Sequence, residues 1–330
     1  MTVTNGDSHL NQSSSKHAET DAVTWRILYG MQNVNLTGRC KKHGFTIIEL
    51  LIVVAIIVVL VSILVPALGK AFSTAKSTED KTRLKGVHAA LLLEASGDEG
   101  RLSQPSSMSK DYPNANHDMS DTTANLMSML LARNYFMTDF LISPVETNPN
   151  IRDINENDLI YDYDSIDGED VFWDDQFNAD VANANAGSPA HNSYAHQALC
   201  GQRVRLKWHS GATASDIILS NRGPESSANS DGTLNFDDSS VTLKFHGEEN
   251  VWKGNIVCGD GSTRMVESYL PKGIGYQPLN GGRFGPDHIF MTDWNDIQIS
   301  GNPEPMASGD NWLVITTEVI SDNDIVTVWD

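Results

Sequence analysis

The sequence predicts an α+β fold in which one long N-terminal helix precedes an antiparallel β-sheet. Residues 47–65 form an apolar run, and a helix needs about 20 such residues to cross a bilayer. Helical periodicity continues from residue 69 to about residue 96. From residue 200 onward the chain consists of short β-rich runs bounded by Gly, Asn, Asp and Pro. Helices that come before the strands, rather than alternating with them, indicate an α+β fold.

Two helices are predicted. The first has a transmembrane part at residues 45–68 and an amphipathic continuation at 69–96. Apolar residues at helical spacing mark one face of the continuation, namely Leu84, Val87 and Leu91. The second helix lies within residues 121–149, and its apolar face is predicted to hold Leu126, Met129, Leu130 and Tyr135.

The rest of the chain predicts extended structure and strands. Phe140–Pro144 is predicted as a short extended piece, and the acidic, Asn-rich stretch 145–190 as a loop-rich insertion. Within residues 254–268, Gly259-Asp260-Gly261 predicts a hairpin turn. The six runs predicted to form strands are 203–208, 215–221, 240–246, 254–268, 311–320 and 324–330.

A carboxylate, Glu49, is the only ionisable side chain in the apolar run. A charge at the centre of a membrane-spanning helix costs about 2.5 kcal/mol or more, so such a residue indicates a function by default. The alternative is that Glu49 lies near the helix end, where its carboxylate reaches the lipid headgroups.

The residues around Glu49 occur in a distinctive order. Arg39, Lys41 and Lys42 form a basic stretch that ends at His43-Gly44, and Phe45-Thr46-Ile47-Ile48-Glu49 begins the hydrophobic helix. This order resembles the N-terminal signal of type IV prepilins and type II secretion pseudopilins. The resemblance implies a pilin-like fold, with the long helix packed on an antiparallel β-sheet domain.

The resemblance also implies roles for individual residues. In that family a prepilin peptidase cleaves after the glycine and methylates the new terminal amine, which implies cleavage between Gly44 and Phe45 and N-methylation of Phe45. Glu49 would attract the terminal ammonium of a neighbouring subunit. Pro66 stands where many type IV pilins have a helix-bending proline, and the alternative is an ordinary helix breaker where the helix leaves the bilayer.

Residues 1–44 would form the leader, which is long for that family. Residues 1–30 are polar and nearly balanced in charge, as a disordered extension would be. A start at Met31 would leave fourteen leader residues with three positive charges and no negative one. We therefore hypothesise that translation begins at Met31, so that residues 1–30 are not translated. Either start gives the same mature protein.

The C-terminal half carries a second resemblance. Large pseudopilin-like proteins of planctomycetes share a processing-associated region, a His followed by Asn-hydrophobic-hydrophobic-x-x-Asp-Gly. Here His246 precedes Asn255-Ile256-Val257-Cys258-Gly259-Asp260-Gly261. Thirteen residues separate His246 from Asp260, where nine are usual. The hairpin is therefore expected, and a His–Asp contact stays open.

Residues 97–330 are predicted to form an acidic extracytoplasmic α+β domain. They contain 13 Lys or Arg and 36 Asp or Glu. A surface with this charge repels phosphate backbones, so nucleic acid is not an expected partner.

The cysteines leave two alternatives. Cys40 lies in the leader, and Cys200 and Cys258 remain in the mature chain. They form a disulfide if the domain lies outside the cytoplasm, or they are separately buried thiols.

A calcium site is the one cofactor hypothesis. Asp162, Asp164 and Asp167 stand before a glycine in an acidic stretch, and carboxylates are ligands that Ca²⁺ prefers. Their spacing does not fit an EF-hand, and the alternative is a solvated acidic loop. No other cofactor is expected.

The sequence has no GxSxG, HExxH or Walker-type glycine motif, so a structural subunit rather than an enzyme is predicted. The expected partners are the prepilin peptidase, other pilin or pseudopilin subunits bound through the N-terminal helix, an inner-membrane assembly platform and membrane lipid. The expected location is the bacterial inner membrane, crossed once, with the N-terminus inside and the C-terminal domain periplasmic or extracellular. The alternative function is an uncleaved, membrane-anchored domain that binds a glycan or cell surface without filament assembly.

Overall fold

The structure is a computed structural model, and it describes residues 44–108, 118–156, 160–161, 172–174, 176–228, 234–247, 250–276, 285–292, 310–322 and 324–329. These residues form an α+β fold, as the sequence predicts. Two compact units are present: the first ends at Ser62 and the second is Ile63–Asp330.

Most of the helical residues belong to one element. The helices are α1 (Ile47–Ala95), α2 (Pro105–Met108), α3 (Thr123–Ala132) and α4 (Gln202–Leu206). Two short 3-10 turns are Thr138–Leu141 and Val241–Lys244.

The strands form one main sheet and three hairpins. They are β1 (Tyr194–Gln197), β2 (Ile217–Asn221), β3 (Ser226–Ala228), β4 (Leu234–Phe236), β5 (Gly254–Cys258), β6 (Thr263–Val266), β7 (Gly275–Tyr276), β8 (Gly285–Pro286), β9 (Leu313–Val314), β10 (Thr316–Ser321) and β11 (Asp324–Thr327). The main sheet has the order β6-β5-β2-β1-β9 and is antiparallel throughout. The hairpins are β3–β4, β7–β8 and β10–β11.

The second half of α1 packs in the core of the second unit, as its periodicity predicts. Leu84, Val87 and Leu91 are fully buried in one cluster with Trp208 and Leu219. Burial of an aliphatic side chain of this size contributes about 1.5–3 kcal/mol relative to exposure. Pro66 lies inside α1, which does not end there, and a bend at that residue stays a prediction.

Helix α3 is shorter than predicted. Thr122 caps its N-terminus by accepting a hydrogen bond from the Asn125 amide at 3.2 Å. Asn134 has a φ of 57° just after Ala132, and a residue in this left-handed conformation commonly ends a helix. Tyr135 therefore lies beyond the helix, and the predicted extended piece Phe140–Pro144 is partly wrong because the 3-10 turn includes its first two residues.

The strand predicted at 203–208 is wrong, because these residues belong to α4 and the turn after it. In a strand, side chains alternate between the two faces, which would place Val204 and Leu206 together on the buried face. However, Leu206 is 41 % exposed. Arg203 and Lys207, one helical turn apart, are buried instead, together with Trp208 after the helix. Arg203 pairs with the buried Asp310, so its burial is favourable only in the helical conformation that places it there.

The strand predicted at 240–246 is also wrong, because Val241–Lys244 forms a 3-10 turn. The Ser240 hydroxyl accepts a hydrogen bond from the Thr242 amide at 3.2 Å. A short side-chain hydrogen bond of this kind favours a turn over a strand ladder.

The predicted hairpin is confirmed. Strands β5 and β6 pair from Gly254–Val266 to Val257–Thr263, and Gly259-Asp260-Gly261 joins them. Gly261 has a φ of +77°, which glycine adopts without strain. At Gly259 a Cβ atom would lie 2.3 Å from the Ala212 Cβ and 2.5 Å from its backbone carbon, so only glycine fits.

The sequence does not predict strand β1, because its four residues include the polar His196 and Gln197 and form no apolar run. Its His196 is nevertheless fully buried: Nε2 lies 2.7 Å from the Thr123 hydroxyl, and Nδ1 lies 2.9 Å from the Gln197 carbonyl oxygen. Burial lowers the pKa of His196 to about 4, although the hydrogen bond to Gln197 partly opposes this. The imidazole is therefore neutral near pH 7.

Loss of stability on acidification is expected from His196. The unfolded chain takes up a proton near pH 6.5 that the folded chain refuses until about pH 4, so stability falls as pH falls through this range. Between pH 7 and pH 5 the loss from this histidine is about 2 kcal/mol. Chemical denaturation of the detergent-solubilised chain and of His196→Gln at both pH values measures it.

The comparison with His196→Gln isolates this effect from other groups. Burial also lowers the pKa of His288 to about 4, and it raises the pKa of Asp287 to about 6, so Asp287 adds stability over the same fall in pH. Both contributions are common to the two proteins. Equal pH dependence of the free energy of unfolding in the two proteins would contradict the assignment.

Candidate processing site and helix anchor

The predicted cleavage site lies immediately before α1. Gly44, Phe45 and Thr46 are outside the helix and exposed, and the Phe45 side chain is 78 % exposed. A Cβ atom built on Gly44 would meet nothing within 4 Å. The Gly44–Phe45 peptide bond is therefore accessible and is not held by helical hydrogen bonds.

Glu49 caps the start of α1. Its Oε2 accepts hydrogen bonds from the Thr46 amide and the Thr46 hydroxyl, both at 2.8 Å. In return the Thr46 hydroxyl accepts a hydrogen bond from the Glu49 amide at 3.2 Å. This reciprocal pair is a capping box, for which Thr-x-x-Glu is the sequence signature. The signature is present at Thr46-Ile47-Ile48-Glu49, so the capping role of Glu49 could be predicted from the sequence as well.

The capping box places the Glu49 carboxylate at the N-terminal end of α1, where it is bonded to Thr46, the residue that follows Phe45. A carboxylate in the first turn also interacts favourably with the helix dipole. The carboxylate is therefore near the amine that cleavage after Gly44 would create, and it is already in use as a helix cap before cleavage.

The first part of α1 presents apolar side chains on every face. Between Ile47 and Leu68 the large apolar side chains are 46–84 % exposed. In the part of the chain that the structure describes, α1 is the one helix long and apolar enough to cross a membrane. A helix that is apolar all round fits a membrane anchor.

A buried carboxylate, Asp80, joins α1 to the main sheet. Its side chain is fully buried. Oδ1 accepts hydrogen bonds from the hydroxyls of Ser143 and Tyr194, the latter at 3.0 Å, and from the Asn221 amide group at 3.2 Å. Oδ2 accepts from the Asn255 amide group at 2.6 Å. We call Asp80 and these four donors the Asp80 anchor.

The donors of the Asp80 anchor are themselves connected. The Asn255 backbone amide donates to the Asn221 side-chain oxygen at 2.7 Å. Asn255 Nδ2 also lies 3.3 Å from the Ser77 carbonyl oxygen, one turn before Asp80 in α1. No ion pair joins Asp80 to a cation among the described residues. Neutral donors therefore compensate its charge, as a buried carboxylate requires.

Tyr194 remains a donor across the ordinary pH range. Burial, together with the Asp80 carboxylate beside it, raises the pKa of Tyr194 well above its usual value. Its hydroxyl is therefore protonated whenever Asp80 is charged.

The sequence carries a signal for the Asp80 anchor in the spacing of the buried residues of α1. Ser77 and Asp80 continue the spacing of Leu84, Val87 and Leu91 toward the N-terminus, and all five are buried. A carboxylate on the core-facing stripe of a helix must find donors in the domain that the helix packs against. The identity of the donors was not predictable, because they lie 63 to 175 residues further along the chain.

The His–Asp pair of the second resemblance does not form a contact. Burial lowers the pKa of the half-buried His246, although the Asp80 carboxylate partly opposes this. Asp260 acts instead on His88 in α1, whose pKa burial also lowers. A Cβ atom on Gly261 would lie 4.0 Å from the His88 ring, so the hairpin turn packs against α1.

Cys200 and Cys258 are not joined by a disulfide. Both are buried free thiols, and they lie in different apolar clusters. Burial raises the pKa of both thiols. The structure therefore corresponds to the alternative of separately buried thiols.

The calcium residues Asp162, Asp164 and Asp167 lie outside the described residues. Within the described ranges, no three His, Cys, Asp or Glu side chains are grouped so as to hold a metal ion. His191 and His196, two histidines five residues apart, are both engaged in contacts within the fold. The Nδ1 of His191 lies 3.0 Å from the Arg152 carbonyl oxygen, and both ring nitrogens of His196 have partners.

Comparison with known proteins identifies the N-terminal segment. The prokaryotic N-terminal methylation motif matches residues 39–65. This is the prepilin-type motif, and a long apolar helix accompanies it here, in agreement with the type IV pilin and pseudopilin family. No curated protein and no solved structure matches the chain. The chain therefore carries a prepilin-type N-terminus, and the α+β layout that follows fits a pilin-like fold.

Removal of the Asp80 carboxylate is expected to destabilise the second unit strongly. In Asp80→Ala four buried donors lose their acceptor, and each unsatisfied buried group costs about 1–3 kcal/mol. A loss of about 3 kcal/mol or more in the free energy of unfolding is expected. Chemical denaturation of the detergent-solubilised chain, followed by tryptophan fluorescence, measures this.

Ser77→Ala is the matched control on the same face of α1. The Ser77 hydroxyl lies 3.5 Å from Asn255 Oδ1, at the limit of a hydrogen bond, so its loss should cost less than about 1 kcal/mol. Similar losses in the two variants would mean that the carboxylate itself has no special role.

Proposed function

We propose that this chain is the precursor of a pilin-like structural subunit, cleaved after Gly44, methylated on Phe45 and assembled through α1 into a filament. The filament is either a type II secretion pseudopilus or a type IV pilus-like fibre. The methylation motif at residues 39–65, followed by α1, supports this proposal most directly.

The geometry at the start of α1 supports the processing steps. The Gly44–Phe45 bond is exposed and outside the helix, so a peptidase active site in the membrane can reach it without unfolding α1. Cleavage there leaves a free amine on Phe45, which is the group that N-methylation requires.

Glu49 is proposed to dock one subunit on the next. After cleavage the chain has a terminal ammonium at Phe45 and a carboxylate at Glu49, both within the membrane. Opposite charges attract more strongly in lipid than in water, and each is costly there without the other. The ammonium of an incoming subunit and the Glu49 of its neighbour therefore satisfy each other.

We divide the chain into four segments according to the two parts of α1. We assign residues 1–44 to the leader, 45–68 to the membrane, 69–96 to the helix that carries the domain, and 97–330 to the acidic domain. The partners are the prepilin peptidase, other pilin subunits, an inner-membrane assembly platform and lipid. The N-terminus lies inside and the domain lies in the periplasm or beyond it.

Glycan binding receives little support from the tryptophans. Trp173, Trp208 and Trp252 are at most 1 % exposed, so their rings serve the core of the second unit. A binding domain that uses an uncleaved anchor is therefore an outcome of the next test rather than a second proposal.

The N-terminal peptide of the mature protein is expected to begin at N-methyl-Phe45. Mass spectrometry of the membrane fraction should show a peptide that starts at Phe45 and is heavier by one methyl group. A peptide that continues through Gly44–Phe45 would instead identify an uncleaved anchor, and the function would lie in the acidic domain.

Glu49→Ala is expected to be cleaved normally but to be excluded from filaments, because the incoming ammonium loses its partner. Thr46→Ala is the matched control: it breaks the capping box, at a cost of about 0.5–2 kcal/mol to the helix start, but keeps the carboxylate. Sedimentation of sheared filaments measures incorporation of both variants. Equal exclusion would mean that Glu49 acts only as a helix cap.

A further inference from the structure

The main sheet ends at an open edge. Strand β6 is its outermost strand, and in the described part of the chain it pairs with β5 alone. The Cys258 amide donates to the Ser262 carbonyl oxygen at 2.9 Å, and bonding alternates along an antiparallel pair. The backbone N–H and C=O groups of Thr263 and Met265 therefore face away from β5, and no described strand pairs with them.

A groove of about 490 Å³ lies along this edge. It is lined by residues from Arg264 to Lys272. The Arg264 guanidinium has two buried nitrogens, Nε and one Nη, without a hydrogen-bond partner, and Lys272 is exposed. The groove therefore places an exposed ammonium, that of Lys272, beside the outward backbone groups of β6.

The charge of this edge differs from that of the rest of the domain. Lys253, Arg264 and Lys272 are three of only 13 basic residues in 97–330, against 36 acidic ones. Among the described residues that line the groove, Glu267 is the only carboxylate, and it pairs with Lys253 at 3.5 Å. We call β6 and its groove the basic edge.

A segment with the opposite charge and a further outer strand lies near the C-terminus of the same domain. Strand β11 pairs with β10 alone among the described residues. Glu318, Asp322 and Asp324 lie on or between these two strands, and residues 310–330 contain no Lys or Arg. Ile320 in β10 is 60 % exposed. We call β10–β11 the acidic hairpin.

We propose that the acidic hairpin of one copy of this chain docks on the basic edge of another, with β11 added to β6. The added strand pairs with the outward backbone groups of β6, and the carboxylates of the acidic hairpin reach Lys272. The two surfaces differ, so the contact is heterologous, and a heterologous contact continues from copy to copy unless it closes into a ring. The inference rests on the proposed function, because it requires a filament in which the domains of neighbouring copies meet.

The contact is expected to be weak by itself. Each strand has only four residues, which allows few hydrogen bonds, and these alone do not offset the entropy lost on association. Copies held together by their membrane helices meet at a high effective concentration. The test therefore uses full-length protein in the membrane.

Cysteine cross-linking between two tagged chains tests the contact. One chain carries Thr263→Cys in β6 and the other Val326→Cys in β11, and disulfide formation is followed on non-reducing gels. A mixed dimer is expected. Ala214→Cys, an exposed position on neither surface, replaces Val326→Cys in the control and should give none. Filaments that form without a Thr263–Val326 cross-link overturn the inference and leave the proposed function intact, whereas absence of filaments overturns the proposed function.

Charge reversal tests recognition without altering the core. Lys272→Glu should lower the cross-linking yield by about threefold to fivefold, as expected for loss of an exposed ion pair. Asp324→Lys in the partner should restore it. A yield that neither variant changes overturns the role of charge in the contact.

A backbone variant tests strand addition directly. Met265→Pro removes an outward N–H that β5 does not use, and proline is tolerated on such an edge. It should abolish the cross-link, whereas Met265→Ala should keep it. A cross-link that survives Met265→Pro shows that the hairpin does not dock as a strand and overturns the proposal.

Discussion

The second unit depends on one buried carboxylate. Apolar burial draws α1 onto the sheet, but it is not directional and tolerates rotation of the helix. The Asp80 carboxylate accepts hydrogen bonds from four donors at fixed positions, and a helix rotated by one residue would leave them all without an acceptor. The hydrogen bonds therefore set the rotation and register of α1 that the apolar contacts alone leave undetermined.

The two parts of α1 have opposite requirements, and their sequences reflect this. The part before Leu68 is apolar on every face and stays exposed, which fits a membrane anchor. The part after Ser77 buries one stripe that contains a single carboxylate, Asp80, and its other Lys, Arg, Asp and Glu side chains lie on the remaining faces. One helix thus connects an exposed apolar surface, which Glu49 caps at its start, with a surface adapted to a single folded domain, to which Asp80 gives its specificity.

Local signals were sufficient for the elements that local physics determines. The apolar run and its periodicity predicted α1 to within two residues, and Gly259-Asp260-Gly261 predicted the β5–β6 hairpin. Predictions from the sequence failed for elements whose conformation depends on residues far away in the chain. The helix that contains Arg203 was not predicted, because the buried partner of Arg203, Asp310, lies 107 residues away in the sequence. Strand β1 was missed because its buried His196 depends on the Thr123 hydroxyl, which belongs to another element. The same separation hid the donors of Asp80.

The arrangement of those donors has a mechanical consequence. Tyr194, Asn221 and Asn255 belong to β1, β2 and β5, so three neighbouring strands hold the same carboxylate of α1 at once. A pull on α1 acts on these bonds in parallel, and they must break together rather than one after another. Resistance to force is governed by the barrier to unfolding rather than by the equilibrium stability. A domain held in this way can follow a moving helix without being peeled from it.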